Sequence, residues 1–155
     1  MKLELPYDQL KGICKCLSEQ LEPLNLDCIV AISRGGLTAA HLISKELGIP
    51  CEFYIPSRRL LTLPIEADRV AFVEDLIAKG RTYDELKQIL SLDCWSHLVW
   101  DYVPIVIDDD YEGKDNFPYF GMKTKHWVSF PYEDNEKVVE QDRGLFRDGS
   151  DSYGK

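Results

Sequence analysis

Residues 70–82, Val-Ala-Phe-Val-Glu-Asp-Leu-Ile-Ala-Lys-Gly-Arg-Thr, put an acid pair and a glycine turn directly after an apolar run. Adjacent carboxylates such as Glu74 and Asp75 can take the hydroxyls of a sugar diol or hold Mg2+ through hard oxygen ligands. Just beyond them, Ala78, Lys79, Gly80, Arg81 and Thr82 form a small turn that opens a helix. Such a turn offers unpaired backbone N–H groups and the positive end of the helix dipole to a phosphate. Upstream, Ser33-Arg34-Gly35-Gly36 provides a second possible anion receptor. Its two glycines let backbone approach an anion closely, and Arg34 adds a permanently charged planar fork of donors. Taken alone, this segment reads equally well as a tight turn that needs glycine for positive φ.

Strands must carry these residues to one place. Residues 70–73 read as a buried parallel strand that stops before Glu74. A helix over residues 82–90 follows, with Leu86, Ile89 and Leu90 inward. Thr82 and Glu85 stand in capping-box register, so Thr82 is expected to cap that helix, a geometry that phosphate binding also requires. Cys28–Ile32 is a fully apolar strand ahead of the first turn. After the turn, Leu37–Leu47 reads as a helix that buries Leu37, Ala40, Leu42, Ile43 and Leu47 and is closed by Gly48. In an open α/β sheet, ligands bind beyond the carboxyl ends of strands, and both turns fall at such ends.

The remaining elements complete an alternating pattern. Tyr7–Leu21 has apolar residues at Leu10, Ile13, Cys14, Leu17 and Leu21, the spacing of an amphipathic helix, with Asp8 as an N-cap candidate and Pro23 as its stop. Cys51–Ile55 reads as a strand. Residues 56–69 form a short segment containing two prolines, with Arg58 and Arg59 either directed to an anion or solvated. Residues 102–107 read as a further strand, where Pro104 suits an edge or bulge. Asp108-Asp109-Asp110 ends it, as a solvated turn or a cation site. Residues 112–124 form a polar loop whose Phe117, Tyr119 and Phe120 could pack over a ligand or at a subunit interface. Residues 125–130 form a last strand or hook. The order of units predicts an α/β fold: a mostly parallel central sheet flanked by helices.

Composition narrows the class. The chain has 155 residues, 45% hydrophobic and 29% charged, which suits one domain with a real core. A domain over residues 1–133 and a polar acidic tail over 134–155 are expected from the shift in composition after Tyr132. No apolar run approaches the ~20 residues needed to span a bilayer, and the N-terminus lacks a secretory h-region, so no membrane partner and a cytoplasmic location are expected. A formal net charge of −9 argues against a nucleic-acid partner. The five cysteines lie in apolar segments without zinc-like spacing and are expected as buried, reduced thiols.

The run Glu74-Asp75-Leu76-Ile77-Ala78-Lys79-Gly80-Arg81-Thr82 resembles the signature of type I phosphoribosyltransferases. Ile29-Val30-Ala31-Ile32-Ser33-Arg34-Gly35-Gly36-Leu37 is similar to that family's pyrophosphate loop. Trp127-Val128-Ser129-Phe130-Pro131-Tyr132-Glu133 is similar to the base-side segment of its xanthine-guanine branch. The three matches occur in the family's order. The resemblance implies a base-side hood, the donor phosphoribosyl pyrophosphate with Mg2+, a nucleobase acceptor, and a homo-oligomer, dimer or tetramer. It assigns pyrophosphate to Ser33, Arg34, Gly35 and Gly36, and the ribose hydroxyls and Mg2+ to Glu74 and Asp75. The 5′-phosphate falls to Ala78, Lys79, Gly80, Arg81 and Thr82, and the base to Trp127, Val128 and Asp108.

The chain also departs from the pattern. The oxo-purine branch has an aspartate where Ala78 stands, which removes the obvious general acid/base; the adenine branch has alanine there. Lys79 replaces a small hydroxyl residue. Residues 56–69, where the family holds a flexible flap that closes over the substrate, are short. Asp108 stands where the oxo-purine branch carries a base-contacting lysine, and an acid there favours an amino group or ring N–H over a carbonyl. The leading expectation is a phosphoribosyltransferase acting on a purine or related base. The alternative is a regulator on the same fold that binds the donor or a nucleotide without turnover.

Overall fold

The computed structural model describes residues 2–133. The expected tail, 134–155, lies outside the described residues. In chain order the elements are β1 (Lys2–Glu4), α1 (Tyr7–Leu21), β2 (Cys28–Ile32), α2 (Leu37–Leu47), β3 (Cys51–Ile55), β4 (Leu60–Leu61), β5 (Arg69–Ile77), α3 (Arg81–Leu90), β6 (Val99–Asp108), β7 (Met122–Thr124) and β8 (Trp127–Ser129). The main sheet has the order β4-β3-β2-β5-β6-β7 and is parallel apart from β4. A second, two-stranded sheet pairs β1 with β8 in parallel.

The core forms on both faces of the main sheet. Leu10, Cys14 and Leu17 of α1 and Ala39, Ala40 and Ile43 of α2 pack with Ile29, Ala31, Ala71 and Val73 on one face. Leu86 and Leu90 of α3 pack with Val30, Val70, Phe72, Tyr102 and Phe117 on the other. Side chains alternate between faces along a strand, so strands buried on both sides must be apolar throughout, as β2 is.

This arrangement creates a switch point. The connection leaving β2 runs through α2 on one face to β3. The connection leaving β5 runs through α3 on the opposite face to β6. Because β2 and β5 are neighbours, with Ala31 opposite Val73, their outgoing connections diverge at their carboxyl ends, the place where open α/β sheets bind ligands.

Several local expectations are corrected. Strand β5 continues through Glu74 and Asp75 to Ile77, because Glu74, Leu76 and Ile77 pair with Pro104, Val106 and Ile107 of β6. The acid pair therefore lies inside the strand. Helix α1 starts after Pro6 with no side-chain cap, and Asp8 sits in its first turn, where a carboxylate still favours the dipole. Leu37 is exposed, at the open start of α2. Of the cysteines, Cys14 and Cys28 are buried, and loss of hydration pushes both thiols up to about 12; Cys16, Cys51 and Cys94 are exposed, and all five are free. Pro104 lies in β6, a strand with neighbours on both sides. Its carbonyl accepts from Gly121 N–H ahead of β7, so the missing N–H falls where no strand yet pairs. Phe117 is core, set against Tyr83 at 5.0 Å. Among the described residues no helix is long and apolar enough to cross a membrane.

Candidate active site

The turn after β2 lies flat against the end of β5. Ser33 N–H donates to Tyr54 O on β3 (2.8 Å), and Gly36 N–H closes the turn onto Ile32 O (2.9 Å). The Ser33–Arg34 peptide is cis. Neither Gly35 nor Gly36 has positive φ. Their need for glycine is steric: a Cβ on Gly35 would overlap the Asp75 carboxylate, and one on Gly36 would overlap the Val73 carbonyl. Arg34 is exposed at the rim of this turn.

Glu74 and Asp75, consecutive in β5, have different surroundings. Asp75 faces the Gly35 turn. Glu74 is partly buried and accepts a 2.5 Å hydrogen bond from the Tyr102 hydroxyl. Loss of hydration raises the Glu74 carboxyl to about 8, opposed by the Tyr102 hydrogen bond and reinforced by the negative charge of Asp75. At neutral pH Glu74 is therefore largely protonated, while the Asp75 side chain lies beside the first turn.

The second turn follows one residue after β5 ends. Gly80, with φ +73°, is the N-cap of α3. No side chain caps this end: Thr82 is the second helical residue, and Glu85 instead accepts from the Tyr54 hydroxyl at 3.0 Å and pairs with Arg59 at 3.4 Å. The expected capping box is thus absent. The first backbone bond of α3 runs from Asp84 N–H to Gly80 O (2.9 Å), so the N–H groups of Arg81, Thr82 and Tyr83 lie ahead of the helical ladder, with no capping side chain. Lys79 and Arg81 are exposed beside this end. The Tyr111 ring backs Gly80, where any Cβ would overlap it.

The base-side segment meets the first turn through a residue that motif matching passed over. Phe130-Pro131-Tyr132-Glu133 is a tight turn closed twice, by Glu133 N–H to Phe130 O (3.1 Å) and by Phe130 N–H to Glu133 Oε2 (2.8 Å). Proline at its second position presets the backbone. The Tyr132 ring stacks on buried Phe130, centroids 5.4 Å apart and planes 10° apart. Its hydroxyl lies 3.0 Å from both Gly35 O and Asp75 Oδ2 and shares its one proton between them. Trp127 is half-buried in β8, and Val128 is buried, leaving its backbone rather than its side chain for recognition. The signal for Tyr132 was the Phe-Pro-Tyr-Glu turn pattern, but its target is 57 residues away.

Asp108 ends β6, one residue past the Ile77–Ile107 pair. Its Oδ1 accepts from Asp110 N–H at 3.0 Å, making the aspartate run a turn. Asp109 and Asp110 pair with Lys114 and Lys125 at 3.1 and 3.3 Å. Register thus brings Ser33–Gly36, Asp75 and Asp108 to the carboxyl end of one sheet, with residues 78–82 on its next connection. Trp127 stands on the separate small sheet, linked through Tyr132.

No protein-family model matches the sequence. Solved structures do match it. A purine phosphoribosyltransferase from Pyrococcus horikoshii superposes with a TM-score of 0.69 at 23% identity, covering 86% of this chain and 95% of that one. A xanthine-guanine-hypoxanthine phosphoribosyltransferase from Helicobacter pylori gives 0.74 at 15% identity, covering 91% and 99%. A hypothetical protein from Neisseria gonorrhoeae with bound ppGpp gives 0.65 at 19% identity, covering 92% and 96%. The chain has the phosphoribosyltransferase fold, as the three sequence motifs implied.

Proposed function

We propose that the protein is a phosphoribosyltransferase, moving the 5-phosphoribosyl group from phosphoribosyl pyrophosphate to a purine or related base and releasing pyrophosphate. The observation that carries this is the contact of the Ser33–Gly36 turn with Asp75 at the switch point between β2 and β5. One end of the sheet thereby offers an anion turn, a sugar-binding carboxylate and a helix start in sequence.

In this reading the Ser33–Gly36 turn and Arg34 take the diphosphate, and Arg34 stabilises the charge it carries away. Asp75 accepts from the ribose hydroxyls, with Glu74 behind it. Residues 78–82 wrap the 5′-phosphate on the N–H groups of α3. Trp127 stacks on the base, backbone groups around Val128 meet its edge, and Asp108 accepts from its N–H or amino group. The base nitrogen then displaces diphosphate at the anomeric carbon through an oxocarbenium-like state. Placement and charge stabilisation supply most of the rate.

Among the described residues no three acidic, His or Cys side chains gather into a metal cage. The Asp75 carboxylate beside the anion turn suits instead an ion completed by water and donor oxygens, the usual habit of Mg2+. Asp75 and, once ionised, Glu74 would hold it, and when bound it would supply positive charge against that of the diphosphate.

A second reading, a donor- or nucleotide-binding regulator, is favoured by Ala78 in place of an acid/base and by Asp108 tied into its own turn. The N. gonorrhoeae hypothetical protein, similar in fold, has bound ppGpp. The test is to incubate the protein with phosphoribosyl pyrophosphate, Mg2+ and a panel of purine and pyrimidine bases and to follow pyrophosphate release. Turnover with any base is expected. Tight donor binding without turnover selects the regulator, and neither binding nor turnover rejects both readings.

A further inference from the structure

We infer that Tyr132 is a positioning residue that couples the base side of the site to its donor side; this rests on the phosphoribosyl-transfer reading above. Strand β8 carries Trp127 and leads directly into the turn that holds Tyr132. That turn is closed by both a backbone and a side-chain hydrogen bond, so the ring follows β8 as one body. The stack on Phe130, which is buried, fixes the ring plane. The hydroxyl then reaches two groups of the donor side at once, the Gly35 carbonyl and Asp75 Oδ2. Gly35 and Asp75 are themselves in contact. The three groups form a closed triangle in which the carboxylate and the anion turn keep one relative placement.

A carboxylate has lone pairs for more than one donor, so the Tyr132 bond leaves Asp75 able to accept from a sugar hydroxyl. The bond orients the carboxylate before the donor arrives, which lowers the ordering cost of binding. Because the same side chain is rigidly joined to β8, a base that settles β8 also settles Asp75. Linkage then requires that the donor favour base binding by the same factor.

The variant Tyr132→Phe keeps the stack and removes only the hydroxyl. Donor binding is measured by calorimetry with phosphoribosyl pyrophosphate and Mg2+. The donor constant at zero and at saturating concentration of the base that the panel selects, or of adenine where none is turned over, comes from an initial-rate grid or, without turnover, from titrations with base present. The ratio of the two constants is the coupling. In the wild type a ratio of several-fold is expected. In Tyr132→Phe the donor Kd should rise about tenfold, the size of one hydrogen bond to a charged group, and the ratio should fall to about one. Phe130→Leu keeps the hydroxyl but frees the ring; it should lower the ratio while donor Kd stays within about threefold of wild type. A Tyr132→Phe protein matching wild type in both quantities overturns the inference alone. So does weaker donor binding with an unchanged ratio, which confines Tyr132 to the donor side. A wild-type protein that binds no donor overturns the functional reading and this inference together.

Discussion

Glu74 and Asp75 are neighbours in the chain with different surroundings. Asp75 faces the Ser33–Gly36 turn, so on the proposed function Asp75→Asn should weaken donor binding at least about tenfold, the loss of a charge-assisted acceptor, as read by calorimetry with Mg2+ present. An unchanged Kd removes Asp75 from the site. Glu74 makes a different prediction. Its carboxyl titrates near 8 in the folded chain against an ordinary value of 4.5, chiefly because it has lost hydration. Between those values the folded state holds a proton that the unfolded chain has released. The resulting stability is complete below about pH 4.5 and is lost as pH rises through about 8. Since Glu74 keeps some exposure, water screens part of the effect, and a fall of about 2 kcal/mol is expected. Urea midpoints from pH 5 to 8.5 should show this fall in the wild type and flatten in Glu74→Gln. Both acids stand out in the chain, but their separation does not. It depends on Tyr102, 28 residues away, and on the turn at Gly35, and neither contact leaves a mark near residue 74.

The elements that position these side chains are short, and two glycines show what the turns demand. Gly48 ends α2 with φ +65° and has open space where a Cβ would go. Gly80 starts α3 with φ +73° and is pressed by Tyr111. Gly48→Ala should therefore cost only about 1 kcal/mol of strain, with donor binding unchanged. Gly80→Ala meets the same strain plus a collision with an aromatic ring. It should cost about 2–3 kcal/mol and weaken donor binding, because the start of α3 must shift. Denaturant titration and calorimetry on the two variants check this; equal effects would show that Gly80 is only a backbone requirement. Local pattern was enough to place α1, α2, β2 and β3 to the residue. It failed at β5, which runs four residues past the expected end. There the extension comes from pairing with β6, about 30 residues ahead in the chain. It also failed at the start of α3, where Tyr54 and Arg59 draw Glu85 away from a capping box.

For the molecule as a whole, the proposed function makes base choice a property of the carboxyl end of the sheet. Asp108 sits at the end of β6, where an acceptor favours amino groups and ring N–H donors. Asp108→Lys should shift the base profile toward 6-oxopurines by about tenfold in relative kcat/KM, read on the same panel. It also removes the bond to Asp110 N–H, so a loosened turn should lower the melting temperature by a few degrees. An unchanged profile takes Asp108 out of the base pocket. The alternation of apolar strands and amphipathic helices, with glycine turns at strand ends, was legible from residue types alone, because hydrophobic periodicity and turn chemistry are local. So was the order of the three motifs. Strand order was not, nor the splitting of the acid pair, the small sheet of β1 and β8, or the reach of Tyr132 across to Asp75. Each of these is a pairing between residues far apart in the chain. Such pairings are chosen by which surfaces bury one another when two layers close on the sheet, and that choice exists only once the chain has folded.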